Sequence, residues 1–273
     1  MRVKNLDTIP IETIVGCFLE AFENYFVEFP KDLKYFKKRW EMSKIDYSIS
    51  YGMFHGQKLV GFVLHGIDFR RNHLTAFNLA TGVIPDYRGK KITKRIYDFA
   101  IPELKNRGIT KCQLEVIKNN APAVNTYENI GFTITKNYKC FSGDIVLKQP
   151  LNYSLKEIHH EEFNMIDWPN QTSYSWENQE ESLVKGEFKW YLVSNKSMAE
   201  SYFIINPLTG YIPKIDVLEE TDEIWQRLFS AVNGVSSKIK INNVDEQLAV
   251  KINRLQQFGL NNTIDQFEME LLL

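Results

Sequence analysis

Arg88-Gly89-Lys90-Lys91 is a basic, glycine-containing turn set between a buried strand and a helix, an arrangement that binds phosphate. The strand half, Phe77 to Ile84, is apolar with a β-branched end, and Pro85 removes a ladder donor and stops it. Beyond the turn, apolar residues at 92, 96, 97, 99, 100 and 101 predict a helix with a basic first turn. Unpaired N–H groups at a helix start already favour anions, so lysines placed there require a compensating anion, and a pyrophosphate fits. Two nucleotide motifs fail on spacing. Six residues separate Gly82 from Gly89 where a P-loop needs four, and Lys90 is followed by Lys91 where it needs Ser or Thr. The G-x-G-x-x-G dinucleotide fingerprint is absent.

A second constellation follows that helix. Lys111-Cys112-Gln113-Leu114-Glu115-Val116 reads as a strand, and Asn119 to Phe132 carries Asn120, Ala123, Tyr127, Glu128, Gly131 and Phe132. The two stretches together resemble the GNAT N-acetyltransferase superfamily. The turn, Val83-Ile-Pro85-Asp-Tyr-Arg88-Gly89-Lys90-Lys91-Ile92-Thr93, is similar to the family's V-x-P-x-x-R-G-x-G-I-G/A, with Lys91 and Thr93 replacing the later glycines. The second stretch is similar to the family's N-x-x-A-x-x-L-Y-E-K-x-G-F.

The resemblance implies direct transfer of acetyl from acetyl-CoA, as co-substrate, to a primary amine of a small molecule or peptide, without a covalent enzyme intermediate. It implies that Arg88, Gly89, Lys90, Lys91, Ile92 and Thr93 hold the phosphates and that Asn120 bonds the pantetheine arm. Backbone N–H groups of Thr81, Gly82 and Val83 would polarise the thioester carbonyl if their strand bulges or splays away from the Cys112 strand, a distortion Gly82 permits. Tyr127 would protonate the leaving thiolate, since a phenol near pKa 10 stays protonated where a thiol near 8.5 leaves. No carboxylate stands on the Phe77–Val83 strand; Glu115 is the nearest acid by topology and the candidate base, with Glu23, Glu28 or a water relay as alternatives. A non-catalytic module that binds CoA or acyl-CoA, or another protein, is the competing reading.

The elements that position these residues read as β-α-α-β-β-β-α-β-α-β over residues 1–147. Helical spacing covers Ile14 to Tyr25 and Lys31 to Met42, a hairpin turns at His55-Gly56-Gln57, and Ile134 to Val146 supplies the last strands. The fold class is α/β with a mixed sheet: a GNAT acetyltransferase domain at 1–147, then a second domain at 148–273. That second half repeats the order strands, helix, strand, helix, strand, with Gly259-Leu260 echoing Gly131-Phe132. Its counterpart of the phosphate turn, Leu218-Glu219-Glu220-Thr221-Asp222, is acidic and lacks glycine. It reads as a degenerate GNAT-like domain without a pyrophosphate loop.

At 273 residues and 44% hydrophobic content there is ample core for one or two domains. A net charge of −1 gives no global field for nucleic acid or anionic membrane as partner. Asp7, Glu12 and Glu20 interrupt any signal-peptide core, and Cys17, Cys112 and Cys140 lack paired spacing, so a cytoplasmic chain with reduced, buried thiols is expected. No metal role is expected, because His159-His160-Glu161-Glu162 are sequence neighbours that do not share a helix face. Trp168, Trp176 and Trp190 around Glu177 to Glu181 either attract a cationic amine or are core beside solvated glutamates. The oligomeric state and the acceptor stay open.

Overall fold

Local rules set most element ends in the computed structural model, which describes residues 1–273. Strand β1 (Arg2–Asn5) leads into α1 (Ile11–Ala21), whose inward face is Ile14, Val15, Cys17, Phe18 and Ala21. The expected continuation to Tyr25 is instead an aromatic turn, with the Phe22 ring stacked 4.4 Å from Phe18 and Tyr25 edge-on to Phe22. Helix α2 (Leu33–Met42) starts where the Asp32 side chain accepts from Lys34 N–H. Strand β2 (Tyr51–His55) turns at Gly56 into β3 (Lys58–Arg70), and β3 turns into β4 (His73–Val83). Arg71 and Asn72 take left-handed φ values of 49° and 64°, the backbone a two-residue hairpin demands. Both strands therefore run well past the apolar cores read from sequence, because a polar Arg-Arg-Asn-His run closes the hairpin.

Helix α3 (Ile92–Asn106), β5 (Lys111–Ile117) and α4 (Ala121–Glu128) follow, then β6 (Thr133–Asp144). The remaining elements are β7 (Ser154–Ile158), the short helices α5 (His160–Phe163) and α6 (Glu180–Leu183), β8 (Lys189–Asn195), β9 (Met198–Asn206), β10 (Tyr211–Val217), α7 (Asp222–Val235), β11 (Lys238–Asp245), α8 (Ala249–Gln257) and β12 (Asn261–Leu272). The architecture is mixed α/β, as read from the sequence.

Contacts divide the chain into Met1–Thr135 with Glu268–Leu273, and Lys136–Phe267. This division differs from the expected boundary at 147. Strand β6 does not close the first half: from Tyr138 to Asp144 it pairs antiparallel with β11. The first unit takes its last strand from the C-terminus. Lys111 Nζ bonds Glu270 at 2.9 Å, Gln113 Nε2 bonds Glu268 at 2.7 Å, and Leu273 N–H bonds Thr110 C=O. Within the first unit the order is β1-β2-β3-β4-β5-β12; within the second it is β6-β11-β10-β9-β8-β7.

The first unit's core holds His65, fully buried on β3, with Nδ1 2.7 Å from Ile49 C=O. Burial lowers its pKa from 6.5 to about 4. The folded state therefore refuses a proton that the unfolded chain accepts. The stability this contributes is complete above pH 6.5 and is lost as pH falls toward 4, about 3 kcal/mol for the one group. Urea midpoints at pH 7 and pH 4.5 in wild type and His65→Gln measure it: the variant is expected to lose less on acidification.

The second unit's core is built on α7, whose Trp225, Leu228, Phe229 and Val232 pack with Phe203, Ile205, Ile212 and Ile241. No helix of the chain is long and apolar enough to cross a membrane.

Candidate functional site

The parallel pair β4–β5 holds register only from Thr75↔Lys111 to Asn78↔Leu114. Beyond it β4 runs on to Val83 and β5 to Ile117 with no further pairing. On its other edge β4 stays paired to β3 through Val63↔Thr81, Phe62↔Gly82 and Gly61↔Val83. The two strands thus part at the residues expected to face a thioester.

A bulge accompanies the parting. Leu64 pairs with Ala80 but His65 pairs with Asn78, so Leu79 is the extra residue. In a regular strand, residues three apart face opposite sides. Here the bulge returns Asn78 and Thr81 to one face, with Asn78 Nδ2 2.8 Å from Thr81 Oγ1 and 2.8 Å from the Tyr97 hydroxyl. The bulge sits at Leu79, not at Gly82. Gly82 instead serves packing: a Cβ there would lie 2.7 Å from the Phe62 ring and 2.9 Å from Ala21 Cβ.

Tyr127 is buried on α4. Burial raises its pKa above the ordinary tyrosine value, against a lowering influence of the polar Thr81 and Asn78 side chains. The phenol is therefore protonated throughout the neutral range. Asn120 caps α4, its Oδ1 accepting from Ala123 N–H, while its Nδ2 donates to the Tyr25 hydroxyl at 3.3 Å. Glu115 stands on β5 one residue past the last paired position, half-buried. Strand alternation puts it on the face opposite Leu114, and so opposite Asn78 and Tyr127. The structure brings Tyr127, Thr81 and Asn120 to one end of the gap and Glu115 to its other face.

The basic turn has a division of labour that its sequence does not reveal. Arg88 spends its guanidinium on the chain, Nη2 on Ala21 C=O at 2.9 Å and Nε on Val83 C=O at 3.3 Å, tying α1 to the end of β4. Lys90 Nζ bonds Asp86 C=O and lies 4.7 Å from the Tyr87 ring centroid. Lys94 pairs with Asp98 at 2.7 Å. Gly89 has φ 73°, and Lys91 takes φ 55° at the N-cap of α3, the left-handed backbone for which glycine is the cheaper residue. Lys91 gives no side-chain cap, and the first intrahelical bond is Arg95 N–H to Lys91 C=O. The N–H groups of Ile92, Thr93 and Lys94 thus lead the helix without intrahelical acceptors, in a basic setting, while Ile92 anchors the turn by burying its side chain against Gly61. This end of the gap thus presents unpaired N–H groups and positive charge together.

Sequence reasoning missed Asn78 and Tyr97. The signal was available: an asparagine inside the apolar run Phe77-Asn78-Leu79 must be satisfied when buried, and it is 4% exposed. The three cysteines are buried and free, and burial pushes the thiols of Cys17 and Cys112 up to about 12, which makes poor nucleophiles of them. Trp168, Trp176 and Trp190 are core. The amine near them is the chain's own Lys214, 4.8 Å from the Tyr174 ring centroid and 5.6 Å from that of Phe163, its pKa lowered by burial to about 8.

The second unit has a parting of its own. Strands β10 and β11 are parallel partners only at Tyr211↔Lys240. Here the gap is filled from within. The Tyr174 hydroxyl takes both Ile215 N–H, at 3.3 Å, and Ile215 C=O, at 3.0 Å. Asn178 Nδ2 bonds Asn242 C=O on β11, and a buried Lys251–Asp216 pair closes at 2.7 Å under the same tyrosine. What is left between the strands has room for about one water. Helix α7 is capped by Thr221, which accepts from Ile224 N–H, and its first turn carries Asp222 and Glu223. An acidic, capped N-terminus disfavours an anion.

Comparison with known proteins follows this geometry. Residues 17–132 match the model of the Acetyltransferase (GNAT) family. Over 67 residues the chain is 40% identical to the [ribosomal protein bS18]-alanine N-acetyltransferase of Escherichia coli strain K12, a segment that is 23% of this chain and 44% of that protein. The chain thus spans under half the length of the curated relatives it matches. A tandem GNAT protein from the clavulanic acid biosynthesis pathway superposes with a TM-score of 0.68 at 14% identity, covering 99% of this chain and 98% of that one. A GCN5-related N-acetyltransferase from Anabaena variabilis gives 0.66 at 14%, covering 99% and 73%. Both show the fold along the whole chain.

Proposed function

Because residues 17–132 match the model of the Acetyltransferase (GNAT) family, we propose that the first unit moves the acetyl group of acetyl-CoA directly to a primary amine of a peptide or small molecule. The observation that carries this reading is the parting of β4 from β5 after Asn78↔Leu114. An uncapped basic helix end lies at one end of the gap, and a protonated tyrosine lies beside its β4 edge.

In this reading the N–H groups that lead α3 hold the pyrophosphate, with Gly89 leaving open space beside them. The free edge of β4 from Thr81 to Val83 bonds the pantetheine arm and the carbonyl oxygen. Direct attack needs a proton removed on the amine's side and a proton delivered on the sulfur's side. Glu115 and Tyr127 stand on opposite faces of the strand pair, which suits that division. The acceptor side is the aromatic turn after α1, where Phe26 and Val27 are exposed. The likeness to an alanine N-acetyltransferase favours a peptide N-terminus as the amine. The second unit, residues 136–267, takes no acetyl-CoA.

Thiol release from acetyl-CoA, measured against peptides that begin with alanine, other N-terminal residues and internal lysine, tests the reading. Turnover of the alanine peptides above the lysine peptide is expected. Acetyl-CoA binding without turnover on any amine would favour an acyl-CoA-binding module instead.

A further inference from the structure

Resting on the acceptor side proposed above, we infer that Arg88 is a positioning residue for the acceptor: it holds the turn after α1 against the edge of β4, and the phosphates are held without it. Arg88 directly precedes Gly89 in the basic turn, yet its guanidinium is engaged on the chain. Nη2 donates to Ala21 C=O at 2.9 Å and Nε to Val83 C=O at 3.3 Å.

Both acceptors have a reason to take a cation. Ala21 is the last residue of α1, where helix carbonyls lack intrahelical donors and carry partial negative charge, and α1 has no basic residue in its last turn. Arg88 supplies that cation from another element. The Val83 carbonyl lies on the free edge of β4: Ile84 N–H, in the same trans peptide unit, bonds Val60 C=O on β3, so the carbonyl points the other way. The planar guanidinium therefore fastens the end of α1 to the edge read as holding the thioester. Ala21 also rests on Gly82, where a Cβ would lie 2.9 Å from Ala21 Cβ, so no side chain separates helix from strand.

The turn that follows depends on this anchor. Residues 22–29 form neither helix nor strand, and Asn24 takes a left-handed φ of 59°. Phe22, Tyr25 and Phe29 pack in toward Phe18, which leaves Phe26 and Val27 exposed for an acceptor. A second tie, from Asn120 Nδ2 to the Tyr25 hydroxyl at 3.3 Å, joins the turn to the start of α4. Two bonded points thus place these rings relative to β4, and Arg88 makes the one at the strand edge. The N–H groups that lead α3 remain for the pyrophosphate.

Peptide and cofactor affinities separate the two roles open to Arg88. Calorimetry measures CoA binding to wild type, Arg88→Met, Arg88→Lys and Tyr25→Phe, then binding of an alanine-initiated peptide to each protein saturated with CoA. Arg88→Met keeps the stem and loses both bonds; it is expected to weaken peptide affinity about tenfold and CoA affinity by less than about threefold. Arg88→Lys is expected to fall between, since an ammonium can bond either carbonyl but fixes no angle between them. Tyr25→Phe loses only the other tie and is expected to weaken the peptide in the same way, which keeps the test alive if Arg88→Met fails to fold. Amide exchange across residues 22–29 is expected to quicken several-fold in Arg88→Met while that of α3 stays as in wild type, a contrast that general destabilisation would not produce. A tenfold or greater loss of CoA affinity at unchanged peptide affinity would make Arg88 a phosphate ligand and overturns the inference alone, as does wild-type peptide affinity in Arg88→Met. No peptide binding by the wild type overturns the acceptor reading, and the inference with it.

Discussion

Replacing Gly89 by glutamate abolishes acetyl-CoA binding while leaving the fold standing. The space beside Gly89 is open, since a Cβ built there has no atom within 4 Å, so the new side chain meets no steric bar. Its φ of 73° costs a non-glycine residue about 1 kcal/mol, too little to unfold the domain. What changes is the charge at the helix end. A carboxylate beside the N–H groups leading α3 competes for them and repels the pyrophosphate, about 3 kcal/mol or more, which is a hundredfold or more in affinity. Gly89→Ala separates the terms: it carries the backbone cost without the charge and is expected to weaken binding less than tenfold. Calorimetry on the three proteins, with urea midpoints alongside, measures both. Unchanged affinity in Gly89→Glu would return the turn to the status of a solvated basic loop.

Tyr127→Phe lowers turnover by about tenfold to a hundredfold or more and barely moves acetyl-CoA affinity. The ring is buried and packs edge-on to Phe132, with centroids 5.7 Å apart, so phenylalanine keeps the packing and removes the hydroxyl. Thr81 and Asn78 keep their own bond at 2.8 Å in the variant. Loss of turnover then reports the missing proton. The kcat and KM values on an alanine-initiated peptide measure it, and a wild-type kcat would make the tyrosine a packing residue.

Where local structure depended on neighbours in sequence, it was legible. Val83, Pro85, Gly89 and Ile92 define a strand, a stop, a left-handed turn and a helix anchor within one short stretch, and the structure has those elements there. Asn120 to Phe132 is equally local, a capped helix ending at a glycine with φ 113°. What depended on distant partners was not legible. Strand alternation says that β6 and β12 are strands but not which neighbour each takes, so the C-terminal strand in the first unit was invisible. The hairpin at Arg71-Asn72 carries no Asn-Gly or Asp-Gly signal, although turn backbone asks only for tolerance of positive φ. The resemblance places Arg88 among the phosphate-holding residues, and the reach of its guanidinium to Ala21 C=O depends on where α1 ends. Tyr174 gave no sign that it would fill the second gap, since a buried tyrosine in an irregular segment has no pattern.

The account places one acetyl-CoA site in the chain, in the first unit, with the second parting closed by Tyr174 and the Lys251–Asp216 pair. Titration calorimetry of acetyl-CoA into the 273-residue chain tests that directly. The account predicts a single site per chain that disappears in Gly89→Glu and survives Asp222→Ala unchanged. No binding at all, two sites per chain, or a site that persists in Gly89→Glu would contradict it.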